Sequence, residues 1–244
     1  MTLDADVGPT ARIDIHDGWG ELILSRPARK NALVGPMVAE LRAGLADLLA
    51  NNVRVVLLRG DGGAFCSGID VDAFAATPAW RATWPQDWAG FHRDLYNCPA
   101  VIVGALERFA INGGASPALA CDLLVAGTGS FLMVGEAAVG MHAPMNVAWL
   151  RLRTTEAVAA QLALAAGRVP AAELWRLGLV HKLVADEAVL AESQALAAQL
   201  AGFPGQGLNA IKAGLRRAIV SGEDVFAAVV RGVPETSAPA RVPR

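Results

Sequence analysis

Residues 53–59 read VRVVLLR, an apolar, β-branched run of strand length that the glycine-rich stretch Gly60–Gly63 breaks at once. A strand wetted on one face alternates apolar and polar residues. A continuous apolar centre instead suits a strand covered on both faces, as in a parallel sheet. The surrounding sequence supplies the rest of that architecture. Trp19 to Ser25 is a short apolar strand ending at Arg26-Pro27, and Val34, Val38, Leu41, Leu45, Leu48 and Leu49 recur at helical spacing over 34–50. Val101 to Leu106 is another apolar run, leading into Gly113-Gly114 and a small-residue helix, and Leu123 to Ala126 reads as the next strand. Strands alternating with helices predict an α/β fold.

From Thr154 onward the pattern is helical. Segments 155–166, 171–177, 186–201 and 206–220 are rich in Ala and Leu with Gly or Pro between them, and Val180 to Val184 is a short strand candidate among them. With 244 residues, no tandem repeat and no second apolar block behind a linker, the chain reads as one domain with a helical extension. The expected organisation is a core over 1–185, a helical region over 186–230 and a mobile tail over 231–244, rich in Pro and Ala.

Composition narrows the partners. Apolar residues make up 54% of the chain and charged residues 18%, so it can fill a sizeable core. A net charge of −2 gives no basic footprint for duplex nucleic acid but leaves room for a small anionic ligand. Cys66, Cys98 and Cys121 form neither a disulfide framework nor a zinc site, which fits a reducing compartment. His16, His92, His142 and His181 show no metal spacing. The start, MTLDADVGPT, lacks the basic and apolar regions of a signal peptide, and no run reaches membrane-span length, so a soluble cytoplasmic protein is expected.

Two segments carry the chemistry: GDGGAFCSGIDV at 60–71, directly after the buried strand, and AINGGASPALACDLLVA at 110–126. Each alone is a common glycine-rich turn. Both in this order, with LSRPARKNAL at 24–33 upstream, are far more specific. The set resembles the enoyl-CoA hydratase/isomerase (crotonase) superfamily from Leu22 to about Ile219. The likeness includes Arg26 to Leu33, Ala64 to Asp70, Gly113-Gly114 before Cys121-Asp122, and Gly135-Glu136 before Gly140. It continues through Ala165 to Val184 and Ile211-Lys212.

The resemblance implies a crotonase-like (ClpP/crotonase) spiral of ββα repeats whose helical C-terminal region builds a homotrimer or a dimer of trimers. It implies an acyl-CoA substrate, with no cofactor beyond the coenzyme A carried by that substrate, and no metal. It also implies an oxyanion hole, placed here at the backbone N–H groups of Ser67 and Gly113. An enolate needs fixed donors where its charge develops, each worth ~3 kcal/mol in the transition state. That role requires both amides to be unclaimed by the protein's own carbonyls. Gly113-Gly114 permits close backbone approach, and Ser116-Pro117 reads as an N-cap followed by Pro at the first helical position, which would aim a helix N-terminus at the same spot.

Acid–base equipment is where the chain departs from the family pattern. Hydratases of the family use two glutamates; Glu136 matches the second, but Ser116 stands at the first. A single carboxylate suits moving a proton between two carbons, so double-bond isomerisation is favoured over efficient hydration. Apolar neighbours should raise the Glu136 pKa. A hydratase with a substituted second acid is one alternative, with His142 or Asn146 taking part of the role. A non-catalytic acyl-CoA-binding protein is another, and hydrolysis or decarboxylation a further one. By resemblance, Ala28, Arg29, Lys30, Ala64, Ile69, Asp70 and Val71 line the coenzyme A arm. Gly114, Ser116, Gly140 and His142 approach the acyl group. Arg29 and Lys30 are candidates for its phosphates, as is Lys212 from a neighbouring subunit. Asp70 suits a helix cap better than chemistry. Trp80, Trp84 and Trp88 recur every four residues, with Phe91, His92 and Leu95 on the same face. They predict either a cover for the acyl pocket or plain packing, and Pro85 should interrupt the helix.

Overall fold

The computed structural model describes residues 8–204 and 207–217. The expected tail and the end of the C-terminal helical region lie outside them. The chain opens with strand β1 (Ala11–Ile15), which pairs antiparallel with β2 (Trp19–Leu24). Helix α1 (Gly35–Ala50) leads to β3 (Val55–Gly60), α2 (Val71–Ala76), α3 (Pro78–Asn97) and β4 (Val101–Leu106). Next come β5 (Phe109–Ile111), α4 (Ala115–Ala120), β6 (Leu123–Gly127), β7 (Phe131–Met133), α5 (Pro144–Arg153) and α6 (Glu156–Leu164). The chain continues with β8 (Arg168–Pro170), α7 (Ala171–Arg176), β9 (Lys182–Val184), α8 (Val189–Ala201) and α9 (Gly207–Arg217).

The main sheet has the order β1-β2-β3-β4-β6-β9, parallel throughout after the first hairpin. A second sheet, β5-β7-β8, runs beside it. Strands β4 and β5, then β6 and β7, give one strand to each sheet before the next helix, which is the ββα spiral that the family resemblance implied.

The VRVVLLR run explains the layering. Val56 and Leu58 face a core shared with α1, α3, α4 and α5, whereas Val55 and Leu57 face a second core closed by Val189, Ala197, Leu200 and Ala201 of α8. Every residue of β2, β3 and β4 is buried. Helix α8 thus supplies the second cover that an apolar strand requires.

Two expectations are corrected, and three strands are added to those expected. Pro85 does not interrupt α3, which runs unbroken from Pro78 to Asn97. A proline inside a helix costs about 3 kcal/mol. Burial of Trp84 and Trp88, stacked with ring centroids 5.2 Å apart, offsets that cost. The region after Thr154 is not wholly helical, because β8 pairs with β7 through Phe131↔Pro170 to Met133↔Arg168. And β1, β5 and β7 went unread: β1 is only partly buried, and three-residue strands are too short to show a period.

Candidate active site

The loop Arg26–Leu33 is a brace. Asn31, in the left-handed region at φ 56°, accepts the Arg26 N–H through Oδ1 at 2.9 Å and donates from Nδ2 to Asp61 O at 2.9 Å and Ala64 O at 2.7 Å. The buried Arg26 guanidinium donates to Ala32 O at 2.6 Å and meets Asp70 Oδ2 at 3.2 Å. Asp70 also accepts from Arg29 and from the Ala73 N–H at 3.2 Å, so it caps α2 as expected. Burial pushes its carboxyl up, but the Ala73 N–H and the two arginines outweigh that and hold it below its ordinary value.

This brace decides which amides are free. Leu33 and Ile69 form an isolated parallel bridge in which the Leu33 N–H donates to Gly68 O at 2.8 Å and the Asp70 N–H donates to Leu33 O at 2.9 Å. Successive amides of an extended segment point to opposite sides. The Ile69 N–H therefore points away from the brace. Ser67, expected as the first oxyanion donor, is corrected here: its N–H is already committed to Lys30 O at 3.0 Å. Among the described residues, the N–H groups of Ile69 and Gly113 have no acceptor.

Two glycines bring the segments together. Cys66 and Ala110 form a second parallel bridge, with the Cys66 N–H on Phe109 O at 3.2 Å and the Ile111 N–H on Cys66 O at 3.0 Å. A Cβ at Gly114 would lie 2.6 Å from Cys66 Sγ and 2.9 Å from Cys66 O, so only glycine fits. Gly68, at φ 95°, has the Ile111 carbonyl 2.9 Å from where a Cβ would sit. Gly113 differs. A Cβ there would meet Ile69 Cγ1 at 3.4 Å and Leu33 Cδ1 at 3.5 Å, ordinary contacts that also place Gly113 against Ile69.

Glu136 opens a short 3-10 turn, Glu136–Val139, which Gly140 ends in the left-handed region at φ 68°. It is buried, and burial raises its carboxyl to about 7 against lowering by its own N–H and by the Asn146 amide. Oε1 accepts from Asn146 Nδ2 at 3.0 Å, and Oε2 has no partner among the described residues. Asn112, absent from the sequence reading, ties this turn to the glycine pair. Its Oδ1 accepts the Gly135 N–H at 2.9 Å, and its backbone O accepts from Asn146 Nδ2 at 2.9 Å.

Ser116 is not an N-cap. It lies inside α4, which starts at Ala115, and its hydroxyl donates back to Gly113 O at 2.8 Å. Its Oγ is also 3.0 Å from Nε2 of the wholly buried His92. This pairing is invisible in sequence and suggests a nucleophilic dyad at first sight, but the tautomer excludes it. The Trp149 indole, which can only donate, sits 2.8 Å from His92 Nδ1. Burial lowers the imidazole to about 3, so it is neutral at neutral pH, with its one proton on Nε2. His92 therefore donates to Ser116 and cannot take its proton.

The remaining residues divide clearly. A cavity of about 310 Å³ brings together Ala28, Arg29, Lys30, Ser67, Ile69, Asp70 and Val71, together with Ala32 and Asp72, which the sequence did not single out. Ala64 is buried and serves the brace through its carbonyl. His142 is exposed and lies outside that cavity. Lys212, expected to reach a neighbouring subunit's ligand, is held inside its own chain by Asp122 at 2.7 Å and Ala100 O at 2.6 Å. Trp84 and Trp88 pack in the core and Trp80 against it, which favours packing over pocket lining.

Residues 14–228 match the family described as "Enoyl-CoA hydratase/isomerase". A Rhodobacter capsulatus protein named "Probable enoyl-CoA hydratase" is 31% identical over 205 residues, covering 83% of this chain and 79% of that one. The Escherichia coli "1,2-epoxyphenylacetyl-CoA isomerase" is 28% identical, covering 84% and 80%. A Thermobifida fusca protein solved in complex with CoA superposes with a TM-score of 0.77 at 31% identity, covering 91% of this chain and 90% of that one. The spiral of two sheets, the paired glycine segments and these matches agree: the chain belongs to the enoyl-CoA hydratase/isomerase (crotonase) family.

Proposed function

We propose that the protein binds an acyl-CoA thioester and shifts a double bond in its acyl chain, with Glu136 as the single acid–base group. In this reading the Ile69 and Gly113 N–H groups meet the thioester oxygen. Glu136 takes a proton from C2 of a 3-enoyl thioester, and the electron pair delocalises onto that oxygen. The same carboxyl returns the proton at C4, leaving the double bond between C2 and C3. The observation that carries this is a buried carboxyl raised to about 7, with one oxygen unpartnered and no second acid paired with it among the described residues. A carboxyl near neutrality is present in both protonation states, as a shuttle requires. The position that could have held a second acid is Ser116, locked by His92. The Escherichia coli relative is itself named as an isomerase. The substrate's coenzyme A arm is assigned to the cavity beside Arg29 and Lys30. A homotrimer or dimer of trimers is proposed from the family resemblance, and a reducing, cytoplasmic location from the three free cysteines.

A second reading has an observation in its favour. Asn146 Oδ1 is buried with no partner among the described residues, as is Glu136 Oε2 of the side chain to which Asn146 is bonded. A water donating to both would be placed for hydration, in line with the name of the Rhodobacter relative. Purified protein assayed on a 3-enoyl-CoA and a 2-enoyl-CoA separates the readings. Isomerisation of the first is expected, and Glu136→Gln should lower its kcat by roughly 10²–10⁴-fold. Addition of water to the second as the dominant reaction would establish hydration instead. Tight binding without turnover, unchanged in Glu136→Gln, would establish a binding protein.

A further inference from the structure

Asn146 is the third residue of α5 and is buried, yet its carboxamide spends both N–H bonds inside the site. Nδ2 donates to Glu136 Oε1 at 3.0 Å and to Asn112 O at 2.9 Å. The Asn112 carbonyl and the Gly113 N–H are opposite ends of one peptide unit. A donor on that carbonyl fixes the plane of the unit and polarises its N–H in the same sense. From the other side, Asn112 Oδ1 holds the Gly135 N–H at 2.9 Å, one residue before Glu136. Carboxyl, carboxamide and peptide are thus a closed hydrogen-bonded ring built from three separate segments, 112–113, 135–136 and α5.

Resting on the function proposed above, we infer that Asn146 is a positioning residue that fixes the Glu136 carboxyl and the Asn112–Gly113 peptide as one unit. Helix α5 then sets the distance between the proton-transfer group and the amide that meets the thioester oxygen. Glutamine alone matches its two donors from one uncharged nitrogen, and it places them one methylene further out. Aspartate offers none at neutral pH, and leucine keeps the bulk without the polarity.

The test compares Asn146→Leu and Asn146→Asp with wild type and with Glu136→Gln, on the enoyl-CoA that wild type turns over. Asn146→Leu should lower kcat about 10–100-fold while the KM for the thioester changes less than about 3-fold, because the cavity beside Lys30 is untouched. Loss of a donor to the carboxylate should also move the acidic limb of the pH–kcat/KM profile, where the base Glu136 becomes protonated, to higher pH. Asn146→Asp should move it further, since a second carboxylate then faces Glu136. A general structural role would instead lower the active fraction and leave the pH limb in place, and that result overturns the inference. If Asn146→Leu does not fold, the near-isosteric Asn146→Asp decides on the same two readouts. Inactive Glu136→Gln beside Asn146 variants with wild-type kcat and pH limb would remove this inference alone. Full activity in Glu136→Gln would remove the proposed function, and this inference with it.

Discussion

Glu136 and His92 are both buried, and they tilt stability against pH in opposite directions. The Glu136 carboxyl titrates at about 7 in the native protein against 4.5 as its ordinary value. Between those values the folded chain holds a proton that the unfolded chain has lost. Stability therefore falls as pH rises through that window, by on the order of 3 kcal/mol. His92 is the reverse, at about 3 against 6.5. There the unfolded chain binds the extra proton, so stability is present above pH 6.5 and is lost as pH falls toward 3. Glu136→Gln isolates the first effect. At pH 8 the variant should melt about 6–12 °C above wild type, and at pH 5 the difference should shrink below about 1 kcal/mol. Thermal melts at the two values check it; a difference independent of pH would mean that the carboxyl is not desolvated as placed.

At the scale of elements, the contact between α4 and the Cys66 segment depends on one missing methyl group. Cys66 cannot recede from Gly114, because its N–H and C=O are both bonded to the neighbouring strand segment. Gly114→Ala should therefore cost about 1–3 kcal/mol through overpacking. Gly113→Ala, next to it, meets nothing closer than 3.4 Å and should stay within about 1 kcal/mol of wild type. Denaturant midpoints of the two variants check the contrast. The sequence announced this pair of glycines but not the division of labour between them. The same holds across the site. VRVVLLR declared a doubly covered strand because its apolar residues alternate between two cores. Which amide of CSGID stays free was not legible, because it depends on register against a brace 37 residues upstream (Ser67 on Lys30, Asp70 on Leu33). His92 and Ser116 meet only because α3 continues through Pro85, which local propensity argues against. Glu136 was legible through its motif, whereas Asn112 and the ring it closes required the fold.

For the molecule as a whole, the site lies beyond the carboxyl ends of parallel strands: the brace follows β2, the CSGID segment follows β3, and the glycine pair follows β5. That is where open α/β sheets place ligands, since loops diverge there and leave a crevice. A net charge of −2 supplies no long-range attraction for an anionic coenzyme, so local cations must do it. Arg29 is drawn to Asp70 at 3.2 Å, whereas Lys30 is exposed and has no acidic partner among the described residues. Under the proposed function, Lys30 is then the charge available to a coenzyme A phosphate at the cavity it lines. Its backbone is left-handed at φ 52°, so Lys30→Asn removes the charge with the least strain, asparagine tolerating that conformation. CoA should bind the variant about 3–10-fold more weakly, with a shallower dependence on salt. Saturating CoA at about 100 times its Kd should stabilise wild type by about 2.7 kcal/mol, a rise of roughly 5–11 °C in Tm. The variant at the same CoA concentration should show a smaller rise. Equal shifts in both proteins at low and high salt would place the phosphates elsewhere, because a cation at the cavity mouth cannot be removed without loss if it is the group that meets them.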